Sequence, residues 1–317
     1  MKSMKSVTNA LKAYGTILAG LVIILVFSIL RPAAFFTVPN LINVTRQISL
    51  LVVIAIGATL VMSVEEFDLS VGALASLGGV TAAKLAVAGV PLVLCFLLPI
   101  LLCFCIGFLN GWIVTKFRVL SFITTLAMST ILSGVVFWLS GGATIFENIP
   151  DGFTWLGSKR ILGIPLLSLI MLVLILIFWF VMRHTVFGRK LYAIGGNVKS
   201  SEISGINVKV NKNLAFAICG ALSALTGVML ASRLGSAHPT GGDGYFMNSY
   251  AAVFLGRTVS REGVPNIWGT FVGAAILGIL ANGLTIMQVP SYLQDILTGV
   301  IIIGAVIVQR VTAGKKE

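Results

Sequence analysis

Three asparagines, Asn110, Asn248 and Asn282, lie within apolar stretches of the sequence. An amide side chain offers both donors and an acceptor, which suits an uncharged, hydroxylated ligand. Asparagine in an apolar helix also ties neighbouring helices together through hydrogen bonds. The sequence leaves both roles open for each of the three residues.

The motif Asp68-Leu-Ser70-Val-Gly72 offers a carboxylate and a hydroxyl at the predicted start of a helix. We expect the carboxylate of Asp68 to cap that helix by accepting hydrogen bonds from the free amides of its first turn. Direct contact with a ligand is the alternative for Asp68. Ser70 is a further ligand-facing candidate in the same motif.

Catalytic and metal-binding sets are absent from the sequence. His184 and His238 are far apart and lie in predicted loops, and the chain lacks the Gly-x-x-x-x-Gly-Lys-[Ser/Thr] motif that cradles ATP phosphates. The four cysteines lie inside apolar runs, so we interpret them as small buried hydrophobic residues. The sequence therefore predicts a protein that is not an enzyme and has no cofactor.

The composition decides the class of protein. Of the 317 residues, 57% are hydrophobic and 10% are charged, whereas a soluble domain carries about 25% charged residues. Apolar runs long enough to span a bilayer recur from end to end. We predict an all-α, polytopic helical bundle with about ten membrane segments, forming a single transmembrane domain over residues 1–317. Residues 246–256 are shorter than a full span and could be re-entrant.

The basic residues indicate orientation in the membrane rather than nucleic-acid binding, although the net charge is +12. They lie in short segments between apolar runs, and such segments face the cytoplasm by the positive-inside rule. Ten crossings from an inside N-terminus place most of the 22 basic residues inside, so both termini are predicted to be cytoplasmic. The basic residues outside that set are Arg31, Arg46, Lys84, Lys159, Arg160 and Arg233.

A polar break at residues 188–207 separates two apolar regions. It predicts a helix of about two turns that follows a bend of the chain at Gly195-Gly196. Ser200 or Ser201 would cap this helix, and Gly205 would end it. A loop held in shape commonly docks a partner, and an ordinary solvated loop is the alternative. The residues of this predicted docking segment are Gly195, Gly196, Asn197, Lys199, Glu202, Ser204 and Gly205.

A weak internal repeat relates two of the apolar helices. Residues 107–111, Gly-Phe-Leu-Asn-Gly, resemble residues 278–283, Gly-Ile-Leu-Ala-Asn-Gly. With ten crossings these helices run in opposite directions, so the similarity predicts two inverted five-helix halves, an arrangement common in transporters. Chance similarity between glycine-rich apolar helices is the alternative.

A set of motifs in fixed order resembles one known family. They are Phe35-Phe-Thr-x-x-Asn-Leu-x-Asn, Asp68-Leu-Ser-Val-Gly72, Gly188-Arg-x-x-Tyr-Ala-Ile-Gly-Gly-Asn197, Ser204-Gly-Ile206, and Trp268-Gly-Thr followed by Asn282-Gly-Leu284. From about residue 35 to residue 310 the chain resembles the permease subunits of bacterial ribose-type ABC importers, whose solutes include monosaccharides and autoinducer-2.

The resemblance implies a transport subunit that forms a sugar pathway and has no chemistry of its own. It implies cytoplasmic ATP-binding subunits, a periplasmic or lipid-anchored sugar-binding protein, and a second permease copy or paralogue in the lipid bilayer of the inner membrane. The polar break would be the loop that couples to the ATPase. The candidate pathway residues are then Asn110, Asn282, Asn248, Asp68 and Ser70.

Two features depart from the family pattern. Glu65-Glu66 stands where the family usually has Gly-Gly, and residues 256–263 replace a glycine-rich run. These departures bear on partner choice or gating more than on the fold.

An ion-coupled secondary transporter of a small polar solute is the alternative function. It would need an intramembrane carboxylate, and near the predicted spans the sequence offers Asp68 and Asp295, both at span ends.

Overall fold

The computed structural model describes residues 18–259 and 263–313. Some basic residues that contribute to the predicted orientation lie outside the described residues: the lysines before Leu18, Arg261 and the two C-terminal lysines. Glu262 also lies outside them. Most of the described chain is helical. The helices are α1 Leu18–Leu30, α2 Pro32–Phe35, α3 Val38–Met62, α4 Val71–Val87, α5 Leu92–Phe117, α6 Ser121–Ser140, α7 Trp155–Ser158, α8 Leu166–His184, α9 Val186–Gly196, α10 Val198–Ile203, α11 Val208–Leu234, α12 Asp243–Val259, α13 Ile267–Ile286 and α14 Ser291–Ala313.

Six of these helices are long and apolar enough to cross a bilayer: α3, α5, α6, α8, α11 and α13. α1 and α4 are apolar but shorter. Within the described ranges the strands are two residues each, β1 Arg160–Ile161 and β2 Ile164–Pro165, paired as a small antiparallel hairpin. The prediction of an all-α, multi-pass membrane protein is confirmed.

α3 and α11 form the centre of the bundle. Their most apolar windows are 83% and 72% buried, whereas those of α5, α6 and α8 are 22%, 17% and 28% buried and leave apolar side chains for lipid. Glycines let the backbones around α11 approach closely, as at helix contacts in membranes generally. Gly57 of α3 packs on Cys219, and Gly107 of α5 packs on the carbonyl oxygen of Phe216.

The two central helices run antiparallel. At the middle of α3, Leu50 accepts a hydrogen bond of 3.4 Å from the Thr226 hydroxyl, and two turns later in α3 Gly57 lies on Cys219, which precedes Thr226 in α11. The C-terminus of α3 and the N-terminus of α11 therefore share one end of the bundle, which also holds α9 and α10 and which we name the coupling end. The opposite end, with the start of α3 and Leu234, we name the distal end.

The segment between α6 and α8 covers the distal end. Ile145 and Ala237 exchange two backbone hydrogen bonds of 2.9 Å, and the Gly157 N–H donates to the Ser232 hydroxyl at 2.9 Å. These contacts attach the loop to the end of α11. The segment is thus a folded cover over the distal end and is fixed in position relative to α11.

The polar break differs in detail from its prediction. Gly195 and Gly196 are helical residues at the end of α9, so the bend predicted at these glycines is wrong. The chain turns at Asn197, whose side chain caps α10 by accepting a hydrogen bond of 2.9 Å from the Ser200 N–H, in place of the predicted serine cap. Gly205 has a φ of +79°, which confirms the predicted glycine stop.

The apolar stretch 246–256 also differs from expectation. It belongs to the 17-residue helix α12, which extends it at both ends. A helix of this length rises about 25 Å, somewhat less than the roughly 30 Å hydrocarbon core. α12 packs on α3, α13 and α14, so its shortness is compensated by protein neighbours.

Candidate functional site

A cavity of about 260 Å³ lies between α3, α12, α13 and α14. Amide, hydroxyl and carboxylate side chains share its wall with leucines and glycines. Sites for small organic ligands combine a few placed polar groups with an apolar lining in this way. The polar side chains of the wall are Gln47, Tyr245, Asn248, Gln294, Asp295 and Thr298.

Asn248 is the predicted pathway residue that lines this cavity. Its amide nitrogen donates to the Gly244 carbonyl oxygen at 2.9 Å, one turn earlier in α12. That bond holds the half-buried side chain against the cavity wall, where an amide can exchange hydrogen bonds with a hydroxylated solute.

Of the other polar groups of the wall, the sequence analysis named Asp295 alone. Gln294 and Thr298 lie four residues apart in α14, and the Thr298 hydroxyl donates to the Gln294 carbonyl oxygen at 2.8 Å. Because residues i and i+4 share a helix face, this polar stripe on an apolar helix was an available signal. Gln47 of α3 also lines the cavity.

Asn282 forms a reciprocal pair with Asn40. The Asn40 amide nitrogen donates to Asn282 Oδ1 at 3.1 Å, and the Asn282 amide nitrogen donates to Asn40 Oδ1 at 2.9 Å. The pair joins α3 to α13 in the way that polar residues tie membrane helices. Its neighbours Ala281 and Leu284 line the cavity, so the pair lies beside the cavity.

Asp68, Ser70 and Asn110 form one buried hydrogen-bonded chain. The Asp68 carboxylate accepts from the Ser70 N–H at 2.9 Å and from the Ser70 hydroxyl at 2.5 Å, and the Asn110 amide donates to that hydroxyl at 3.0 Å. α4 begins at Val71, so the carboxylate meets the amide before the helix and not the amides of its first turn. The capping prediction for Asp68 is corrected accordingly.

This chain retains unused hydrogen-bonding capacity. Asp68, Ser70 and Asn110 are fully buried, and Asp68 Oδ2 and Asn110 Oδ1 have no hydrogen-bond partner among the described residues. An unpaired buried acceptor costs free energy, so this cluster favours the approach of a further donor. Asn110 and Asn282 thus belong to different polar groups, and the structure does not join them in one.

The coupling end presents α9 and α10. α9 buries Gly188, Leu191 and Ile194 against the bundle, while Lys199 and Glu202 of α10 are exposed. Gly195 is in backbone contact with Ser63, the residue after α3. A rigid, partly buried helix with exposed polar groups beyond it has the form of a docking element.

Two ion pairs hold the α3–α4 connection at the same end. Lys212 of α11 pairs with Glu66, with both side chains mostly buried, and Arg257 of α12 lies 3.9 Å from the carboxylate of the more exposed Glu65. Glu65 has a φ of +57°, a conformation that favours glycine. The two glutamates therefore give this connection charge contacts, and Glu65 takes a backbone conformation that glycine would adopt more easily.

Comparison with known proteins assigns the chain to a family. Residues 40–306 match the family model described as "Branched-chain amino acid transport system / permease component". The ribose import permease RbsC of Escherichia coli (strain K12) is 40% identical over 296 residues, 92% of each chain. The RbsC protein of Bacillus subtilis (strain 168) is 37% identical over 303 residues, 95% of this chain and 94% of that protein.

A sugar permease of different named specificity is also similar. The D-allose transport system permease AlsC of Escherichia coli (strain K12) is 34% identical over 298 residues, 94% of this chain and 91% of that protein. No solved structure matches the chain significantly. The polar cavity among spanning helices agrees with these likenesses. The chain is a transport permease component and belongs to the branched-chain amino acid transport system / permease component family.

Proposed function

We propose that this chain forms the membrane pathway of a bacterial ABC importer for a monosaccharide, powered by separate ATPase subunits. The observation that carries the proposal is the cavity wall of Gln47, Asn248 and Gln294 in a chain whose relatives are ribose and allose permeases. Amides pair equally with the donors and acceptors of sugar hydroxyls. The volume of about 260 Å³ is at the small end for ligand sites, which suits a single sugar.

The ion-coupled alternative has less support. Relatives named as ribose, allose and xylose permeases belong to importer systems, and Asp68 is held within the bundle by Ser70. The pathway role of Asp68, Ser70 and Asn110 stays a prediction. We propose that their unused acceptors take up a donor when the pathway changes its access from one side to the other.

The proposal includes ten membrane segments in two inverted halves: α1, α3, α4, α5 and α6, then α8, α11, α12, α13 and α14. Matching neighbours support it. α11 packs on α4 and α5 as α3 packs on α12 and α13, and α4 contacts α6 as α12 contacts α14. α4 and α12 are also equal in length, at 17 residues each.

We place both termini and the coupling end in the cytoplasm, where α9 and α10 would seat in the ATPase. Lys199 and Glu202 are the exposed polar groups of that contact, and Gly205 ends its helix. A second permease copy or paralogue completes the pathway, with apolar faces of the less buried helices left for it and for lipid. A sugar-binding protein delivers solute to the distal end.

The test is reconstitution of the permease with the ATPase and the binding protein of the same transport system in vesicles. ATP inside the vesicles should drive accumulation of radiolabelled sugar from outside, with ribose, allose and xylose compared. Sugar uptake that needs an ion gradient and no ATPase would overturn the proposal in favour of secondary transport. An ATPase that fails to copurify with the permease would also contradict it.

A further inference from the structure

Three arginines that are remote in the sequence gather at the distal end. Arg46 of α3 donates to the carbonyl oxygen of Ser158 at 3.4 Å, and Arg160 follows two residues later in β1. Gly157 lies against the backbone of Arg233 at the end of α11. The folded cover between α6 and α8 therefore gathers the three arginines at the distal end, and we name them the distal arginine cluster (Arg46, Arg160 and Arg233).

No salt bridge joins the cluster to an acidic side chain within the described part of the chain, and the two acids of the same cover, Glu147 and Asp151, form none there. The salt bridges there, Lys212–Glu66 and Arg257–Glu65, are both at the coupling end. Arg46 Nε is buried and lacks a hydrogen-bond partner among the described residues, although the charges of Arg160 and Arg233 act on the same side chain. Like charges held together without a salt bridge repel each other, so a partner that supplies carboxylates would be favoured.

The cluster adjoins the mouth of the cavity. Gln47, the residue after Arg46, lines the cavity, and so does Tyr245, on which the charge of Arg233 acts. None of the three arginines lines the cavity itself, whose charged side chain is the acidic Asp295. The negative charge of Asp295 therefore disfavours an anionic solute in the cavity. The positive cluster thus suits an acidic partner that binds outside the cavity.

We propose that the distal arginine cluster is the docking surface for carboxylates on the sugar-binding protein, which they hold over the mouth of the cavity. This inference rests on the proposed function and specifies the contact made by one of its partners. Arginine suits the role because its planar fork binds a carboxylate through two parallel hydrogen bonds. Complementary charge also speeds encounter and fixes the orientation of docking.

The experiment measures binding of the purified binding protein of the same transport system to the intact permease–ATPase complex in nanodiscs. Arg160→Gln and Arg233→Gln should each weaken binding, and the two together by about tenfold or more. Raising the salt concentration should weaken wild-type binding more than binding of the double variant, because salt screens exposed charges. Lys84→Gln, which removes an exposed cation from the last turn of α4, is the matched control and should bind as the wild type does.

Equal affinity and equal salt dependence in wild type and double variant would overturn the inference alone, since the wild-type complex would still bind its partner. A wild-type complex that binds no binding protein would overturn both the inference and the proposed function. Anionic lipid is the other occupant to examine. The outcome to watch for is a double variant that binds the binding protein as the wild type does but lacks a preference of the wild type for phosphatidylglycerol over phosphatidylcholine nanodiscs. In that case the cluster is a lipid site and the docking role is overturned.

Discussion

Gly195 of α9 packs directly against the carbonyl oxygen of Ser63, and a methyl group built on this glycine would overlap that oxygen. The contact joins two backbones, so no flexible side chain can absorb a displacement between them. Ser63 begins the connection that continues through Glu65 and Glu66 to Asp68. We therefore expect a shift of α9 to be passed along this connection to Asp68, the first residue of the interior polar chain.

This contact makes Gly195 a position of the polar break 188–207 where an added methyl group cannot be accommodated without movement of the backbone. We expect Gly195→Ala to push α9 away from Ser63 and to lower sugar-stimulated ATP hydrolysis by about tenfold, the effect of roughly 1.4 kcal/mol. Gly196→Ala is the matched control because a methyl group there meets nothing within 4 Å. The measurement is ATPase activity in reconstituted vesicles with the binding protein present. Equal stimulation in both variants would show that the Gly195 contact does not carry coupling.

The two glutamates of the α3–α4 connection should respond in opposite directions. Glu65→Gly relieves the cost of a left-handed conformation, which is about 1–2 kcal/mol for a non-glycine residue. It also loses an exposed ion pair worth about 0–1 kcal/mol. The thermal midpoint should therefore hold or rise. Glu66→Gln leaves the mostly buried Lys212 without its charge partner and should cost about 1.5–3 kcal/mol.

The comparison uses thermal unfolding of the purified protein in detergent. Lys212→Gln added to Glu66→Gln should recover part of the loss, because the uncompensated charge is removed. A midpoint that falls as far for Glu65→Gly as for Glu66→Gln would contradict the assignment of strain at Glu65.

Asn248 and Asn282 should differ in what they affect. Asn248→Ala removes a hydrogen bond from the cavity wall, so the apparent KM for the transported sugar should rise about 3–10-fold, with thermal stability unchanged. Asn282→Ala removes both hydrogen bonds between Asn282 and Asn40 and should lower stability, with a coupling of about 0.6–1.7 kcal/mol in a double-mutant cycle with Asn40→Ala. The measurements are uptake kinetics and thermal unfolding of Asn248→Ala, of Asn282→Ala, of Asn40→Ala and of the variant with both Asn40 and Asn282 replaced. An unchanged KM in Asn248→Ala would remove this residue from the pathway.

The orientation can be checked with single cysteines in a background without the four native ones. Ser158 and Lys199 are both exposed and lie at opposite ends of the bundle. A membrane-impermeant thiol reagent applied to intact spheroplasts should modify Ser158→Cys and spare Lys199→Cys, and lysis should expose the latter. Modification of Lys199→Cys alone before lysis would reverse the assignment of inside and outside.

Local features of the sequence were sufficient to predict the class of protein, the all-α fold and the glycine stop at Gly205. Long apolar runs require helices in a bilayer whatever their neighbours are, and a positive φ after a helix is a property of a few adjacent residues. The motifs were also sufficient for the family, since the order of short motifs along the chain is itself sequence information.

Tertiary packing decided what these features do. Gly195 is helical and lies against Ser63, and the local preference of a Gly-Gly pair reveals neither. The partners of Asn282 and the gathering of Arg46 with Arg233 depend on contacts between residues nearly 200 or more positions apart. Each polar residue in an apolar helix must find a partner, but the sequence states only that need. Which group meets it follows from how the helices pack, and this is why the pathway and the docking surface required the structure.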